Sequence, residues 1–175
     1  MTEPSGYALL VAEGDLDLSR FEALRSRARA AERAGDLECA SALFGQALEV
    51  WRGPALADVR ALAELNTEAE RLDEARMRVQ EQHVATDLLL DRHWDAVPRL
   101  TELTKQHPLR ESLHEHLILA QYRCGRTAES LETYTKIRGD LVRQIGMEPG
   151  VRLQSLHRAI LNRDPVLDTG LLLAS

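Results

Sequence analysis

Three stretches of this chain repeat one spacing of turn-forming, small and bulky residues. Gly35 is followed by Ala40, Phe44 and Ala47; Asp91 is followed at the same offsets by Ala96, Leu100 and Leu103; Gly125 is followed by Ser130, Tyr134 and Ile137. The second and third stretches lie 34 residues apart and the first and second 56, so about 22 extra residues, including Trp51 to Asp58, separate the first two. The offsets suit a short turn that leads into a helix with one apolar stripe. A helical hairpin of this size cannot bury its apolar face alone, so its neighbours must stack on it.

The 34-residue spacing is the tetratricopeptide period. The expected fold is therefore all-α: tetratricopeptide-like helical hairpin repeats forming a right-handed superhelix with a groove, preceded by a short N-terminal extended segment. Small residues at Ala40, Ala96 and Ser130 let paired helices cross closely. Phe44, Leu100 and Tyr134 fill the gap to the next pair, and Gly35 and Gly125 make the turns. Composition agrees, because Ala, Leu, Glu and Arg dominate and aromatics are only 4%. At 175 residues the chain fits one domain, and a domain of that size buries about 70% of its unfolded surface without staples.

Gly6 to Val11 is the one plausible strand, with no partner strand evident in the chain. Helical periodicity starts near Asp17, where Phe21, Leu24 and Ala28 share a face, and Asp36 is a candidate N-cap after Gly35. The next stripe is Leu37, Ala40, Phe44, Ala47 and Trp51, ended by Gly53-Pro54. A long helix over about 61–90 follows, with Leu62, Leu65, Ala69, Leu72 and Val79 inward. Further helices are expected from about Trp94 to Gln106, Leu109 to Cys124 and Thr127 to Ile145, the last burying Leu131, Tyr134, Leu141 and Ile145. A final helix uses Val151, Leu153, Leu156 and Ile160, and the chain beyond Asp164 is expected to be loose.

Formal net charge is −6, whereas a domain that holds nucleic acid by itself usually carries a basic surface. The basic residues are almost all Arg, with Lys only at Lys105 and Lys136. Cys39 and Cys124 are expected as buried free thiols, and no CxxC pair suggests zinc. No phosphate-binding glycine loop, GxSxG or HExxH run occurs, so the enzyme and cofactor readings have no anchor. His107, His114 and His116 are expected as solvent or turn histidines rather than metal ligands, and Glu70 with Glu74 as a solvated helix face. No signal peptide or membrane-length apolar run is seen, and the reading is cytoplasmic. The expected partner groove presents Arg25, Arg29, Arg78, Glu81, Glu115, His116 and Arg123, with Arg126 on a turn. That set lacks the Lys/Asn clamp of tetratricopeptide domains that grip a carboxylate terminus.

Five local signatures are more specific than the repeat. They are Leu16-Asp17-Leu18 to Phe21-Glu22, Trp51-Arg52-Gly53-Pro54-Ala55-Leu56, His107-Pro108-Leu109-Arg110-Glu111, Tyr122-Arg123-Cys124-Gly125-Arg126, and Gly146-Met147-Glu148-Pro149 with Leu153, Leu156 and Ile160-Leu161. In order and spacing they resemble the bacterial transcriptional activator domain of the Streptomyces antibiotic regulatory protein family, over about residues 16–165. The resemblance implies that residues 1–15 are the remnant of the wing and linker of an upstream winged-helix DNA-binding domain, whose last strand Gly6-Tyr7 resembles. It implies an activator domain over 16–165 and a flexible tail or linker over 166–175. Protein partners follow: RNA polymerase, a second copy, or the regulator's own DNA-binding half, with DNA reached only through the upstream domain. Two alternatives stand beside activation: a ligand-sensing or autoinhibitory domain of the same regulator, and a general scaffold. A deep pocket with convergent polar groups favours sensing, and a broad exposed apolar patch favours activation or dimerisation.

Overall fold

A computed structural model describes residues 2–3, 6–7, 17–57, 61 and 63–168. Two short strands, β1 (Thr2–Glu3) and β2 (Gly6–Tyr7), pair antiparallel with Thr2 opposite Tyr7. The strand at Gly6 thus has a partner within the chain. A partner so near in sequence costs little loop entropy, so none has to come from elsewhere. Ala8 to Val11 lie outside the described residues.

Seven helices follow among the described residues: α1 (Asp17–Arg33), α2 (Leu37–Glu49), α3 (Ala63–Leu89), α4 (His93–Gln106), α5 (Glu111–Arg123), α6 (Thr127–Ile145) and α7 (Val151–Asn162), then a 3₁₀ turn over Pro165–Asp168. These are tetratricopeptide-like helical hairpins. The chain divides into two compact units between His83 and Val84, inside α3.

In the first unit α1 and α2 form a hairpin. Phe21, Leu24 and Ala28 of α1 meet Ala40, Leu43, Phe44 and Ala47 of α2, with Val79 of α3 closing the cluster. The turn has a definite mechanism. Gly35 takes φ +80, its N–H donates to Glu32 O at 3.0 Å, and Asp36 N–H reaches Ala31 O at 3.0 Å. This is the paired bond of a Schellman stop, which consumes two carbonyls that the helix end leaves unmatched. Asp36 then caps α2, accepting from Cys39 N–H at 3.1 Å. Helix α2 stops at Glu49, so Trp51 follows the helix instead of ending its stripe.

The second unit reuses the same stop. Asp91 N–H donates to Leu88 O and Arg92 N–H to Asp87 O; Gly125 N–H donates to Tyr122 O and Arg126 N–H to Gln121 O. Both turn residues have positive φ, +59 at Asp91 and +76 at Gly125. Helix α7 ends likewise, with Arg163 at φ +51 and Asp164 N–H on Ala159 O. The core joins Ile118 and Leu119 of α5, Tyr134, Ile137 and Leu141 of α6, and Leu153, Leu156 and Ile160 of α7. Buried Ser130 is satisfied by donating to Thr127 O at 2.7 Å.

Several expectations change here. Leu167 is fully buried in the second core, and Arg123 Nε donates to its carbonyl at 2.8 Å, so the chain after Asp164 is docked rather than loose at least to that point. Ile145 and Val151 are exposed. Each follows the apolar period of its helix, but at an end of the helix where no neighbour covers that face. Cys39 is exposed and Cys124 half-buried, both as free thiols. Cys39 sits in the first turn of α2, one position from buried Ala40. His114 is a core residue, 5% exposed.

Candidate partner-binding surfaces

The residues expected to line a groove lie in both units and are mostly engaged within their own unit. In the first, the Arg25 guanidinium stands 5.8 Å from the Phe21 ring centroid. Arg29 donates through Nε and Nη2 to Gln82 Oε1, both at 3.2 Å. Arg78 is exposed and donates to Glu74 at 3.2 Å one helical turn away, while Glu81 is half-buried. In the second unit Arg123 is a strap, reaching Leu167 O and, at 3.4 Å, Leu88 O. Arg126 grips Glu129 through Nε and Nη2, and those bonds hold the Glu129 carboxyl below its usual range. Glu115 pairs with Arg152 at 3.3 Å; burial pushes its carboxyl up against the opposing pull of that arginine. His116 is half-buried on α5, whereas His114 on the same helix is buried.

Four exposed apolar side chains follow one another around the α6–α7 turn, while exposed Trp94 and Leu161 lie elsewhere on α4 and α7. Val142 and Ile145, one turn apart on α6, are 44% and 50% exposed, Met147 in the loop 62%, and Val151 in the first turn of α7 77%. The loop beneath them is firmly held. Arg138 makes a two-pronged bond to Glu148 at 2.7 and 2.8 Å, Glu111 accepts from Gly150 N–H at 2.6 Å, and Gln154 donates to Pro149 O at 2.7 Å. A cavity of about 480 Å³ opens beside the strip, lined by Tyr134, Arg138, Val142, Glu148 and His157 among others. The Tyr134 and His157 rings stack at 3.8 Å with 2° between planes. Burial, then the Arg138 charge, lowers the proton affinity of His157. Exposed aliphatic groups on a rigid turn are what a protein partner can cover at little ordering cost.

The second surface comes from the residues that interrupt the repeat. Trp51 meets Phe21 edge to face at 5.2 Å, and the Arg76 guanidinium lies 5.4 Å from its ring centroid. Arg76 also donates to Gly53 O at 3.3 Å, and Ala55 N–H donates to Asp73 at 3.0 Å. A cavity of about 310 Å³ results, lined mainly by Leu18, Phe21, Trp51, Pro54, Ala55 and Leu72. Trp51 Nε1 is shielded there with no acceptor among the described residues.

Sequence reading missed the α6–α7 strip, because its aliphatic residues obey the same period as buried ones. Among the described residues no cluster of three or more His, Cys, Asp and Glu side chains could hold a metal, and no helix is long and apolar enough to cross a membrane. Hairpins joined by recurrent stops, bearing an apolar strip on a braced turn, define a helical interaction module. The chain belongs to the bacterial transcriptional activator domain family, matched over residues 16–161, and its relatives are transcriptional regulators of the Streptomyces antibiotic regulatory protein type, not enzymes. It is 44% identical over 163 residues to the regulatory protein DnrI of Streptomyces peucetius, spanning 93% of this chain and 60% of DnrI. It is also 44% identical over 168 residues to the regulatory protein AfsR of Streptomyces coelicolor, spanning 95% of this chain and 17% of AfsR. Among solved structures, Mycobacterium tuberculosis EmbR in complex with a low affinity phosphopeptide superposes with a TM-score of 0.89 at 30% identity, over 99% of this chain and 46% of that one.

Proposed function

We propose that this domain is the activator part of a cytoplasmic transcription factor controlling secondary-metabolite gene clusters. DNA is read by a winged-helix domain upstream, and this domain works through protein contacts, with RNA polymerase or with a second copy of the regulator. The carrying observation is the strip of Val142, Ile145, Met147 and Val151, exposed on a turn braced by Glu111, Arg138 and Gln154. Such a surface is a poor nucleic-acid ligand, since it offers aliphatic groups instead of phosphate-neutralising charge, and it is the kind of patch that marks protein interfaces. The solvated Arg78 supplies a cation paired with the neighbouring Glu74 carboxylate, a pairing worth little in water.

Run-off transcription tests the reading. The regulator carries its DNA-binding half at saturating occupancy, checked by footprinting, with the strip intact or changed by Val142→Asp with Ile145→Asp. Both positions are exposed, so the helices should form normally, which circular dichroism verifies. Transcripts should fall at unchanged occupancy if the strip meets polymerase. If occupancy itself falls and sedimentation shows loss of a dimer, the strip joins two copies. Unchanged transcripts, occupancy and assembly would remove the strip from the mechanism.

A further inference from the structure

Helix α6 carries a glycine that the chain itself does not explain. Among the described residues, two glycines lie inside helices, Gly45 in α2 and Gly139 in α6. A Cβ at Gly45 would stand 3.4 Å from the His83 ring, so close packing accounts for that one. Gly139 is not among the residues of positive φ, and a Cβ there would meet nothing within 4 Å. Glycine weakens a helix interior relative to alanine, because it has more freedom to lose from the unfolded chain. A position with that cost and no local reason leaves room for a group from outside.

The same helix offers such a group. Gly139 and Ile145 lie three residues before and after Val142, and the helical step of about 100° per residue sets them on its two flanks. Gly139 and Val142 both line the cavity of about 480 Å³, whereas Ile145 stands out from the helix, 50% exposed. A hollow and a knob placed evenly about Val142 make a surface that complements itself. A two-fold axis beside Val142 sets it against the Val142 of a second copy and seats Ile145 over the partner's Gly139, reciprocally. Met147, 62% exposed and unbranched, follows Ile145 toward the rest of the hollow. Charge permits the pairing. Residues 84–175 hold 12 Lys and Arg against 12 Asp and Glu, so the net charge of −6 lies wholly in residues 1–83. Beside the hollow, Arg138 is tied to Glu148 and Arg143 to Asp140, so closing it brings no uncompensated charge against its like.

We infer that the α6–α7 strip is a self-complementary seam. Two copies of this chain pair through it about a two-fold axis at Val142, and Ile145 of each fills the hollow over Gly139 of the other. Such pairing presupposes that the strip is a partner surface, and it selects a second copy over polymerase as the occupant. One helix and one turn from each copy make a small seam, below the about 1,200 Å² of a standard interface, so the pairing is weak and reversible.

Sedimentation equilibrium of the 175-residue chain should show monomer and dimer in exchange, with a Kd of about 100 µM or tighter. Gly139→Leu fills the hollow at a point where a Cβ meets nothing. It should leave the circular dichroism unchanged and weaken pairing at least about tenfold. Ile145→Ala should also weaken pairing. The double variant Gly139→Leu/Ile145→Ala should pair more tightly than Gly139→Leu alone, because the shortened knob makes room for the added side chain. A second readout uses a Cys39→Ser/Cys124→Ser chain, which removes both free thiols. In it Val142→Cys should cross-link two copies under mild oxidation, since a residue beside the axis meets itself. Gln144→Cys, exposed and about 200° further round α6, should not. The pairing is overturned if the chain stays monomeric at about 500 µM, if the Gly139→Leu and Ile145→Ala losses simply add, or if the two cysteine variants cross-link alike. A monomeric chain whose strip variants still lower transcription would leave the strip to polymerase, so the pairing and the activator reading fail separately.

Discussion

The connection between α2 and α3 and that between α4 and α5 link equivalent helices of successive repeats, yet they are built differently. The shorter one runs from His107 to Arg110. It is satisfied almost within itself: His107 N–H closes on Leu103 O, and Pro108 O accepts from His114. The longer one starts at Val50 and ends before Ala63, and it carries its own small core. Trp51 is wedged between Phe21 and Arg76, Ala55 is buried with Ala69 and Leu72, and Asp73 and Arg76 hold two of its backbone groups. A repeat fold can absorb an insertion where the extra chain brings buried anchors that offset its ordering entropy. Both connections carry family signatures, the Trp-Arg-Gly-Pro-Ala-Leu and His-Pro-Leu-Arg-Glu runs. The resemblance is thus most specific in the joints, where side chains do particular jobs, and weakest along helices that need only the right period.

The sharpest way to break this contrast is Trp51→Ala. If the long connection depends on its wedge, truncation should cost about 3 kcal/mol, the low end for a large aromatic because the ring is only half-buried. Urea unfolding followed by circular dichroism reads this directly. A cost below about 1 kcal/mol, ordinary for a loop substitution, would mean that the connection is merely draped over the helices. Asp73→Ala is the milder probe. It strips the acceptor from Ala55 N–H, partly buried, and should cost about 1–2 kcal/mol. On the turn after α6 the matching change is Glu111→Ala, which frees Gly150 N–H and should cost about 1 kcal/mol because that bond is more exposed.

The helices and their stops were legible because their signals are local. Gly35, Asp36 and Gly125 act through bonds to residues within five positions, and α1, α2, α4 and α6 start within a residue of where the period and caps place them. Tertiary cover was not legible. Ile145 and Val151 keep the apolar period but meet no neighbour, while Leu167 breaks no pattern and is wholly buried because Arg123 draws its carbonyl in. The expectation of a solvent or turn histidine fails at His114, which is buried on α5 with the Pro108 carbonyl as its partner.

Acid should separate the regions by a smaller margin. His93, His114 and His157, all in the second unit, bind protons less readily than a free imidazole, burial being the first cause in each. The folded chain therefore takes up fewer protons than the unfolded one. Their contribution is fully present above the unfolded value near 6.5 and is lost as pH falls through it toward the lower folded values. Glu115, raised by burial, has the opposite sign but acts in the carboxylate range. The urea midpoint should drop between pH 7 and pH 5, and His114→Asn should flatten that drop. An unchanged slope would mean that His114 is not held neutral.

The smallest effect concerns the one repeat stop that lacks glycine. Asp91 holds φ +59, where Gly35 and Gly125 hold +80 and +76, and a residue with a Cβ is strained there. Its carboxylate lies 3.3 Å from His93 Nε2. That contact offsets little, because Asp91 is solvated and burial keeps His93 largely neutral near pH 7. Asp91→Gly should therefore stabilise the chain by about 0.5 kcal/mol, the strain relieved less the extra freedom glycine gives the unfolded state. Gly35→Ala and Gly125→Ala should each destabilise by about 1 kcal/mol at positions with no steric contact, so that backbone strain alone is measured. If Asp91→Gly instead destabilises, the Asp91–His93 contact carries more than its exposure suggests, and the three stops are alike in geometry but not in energetics.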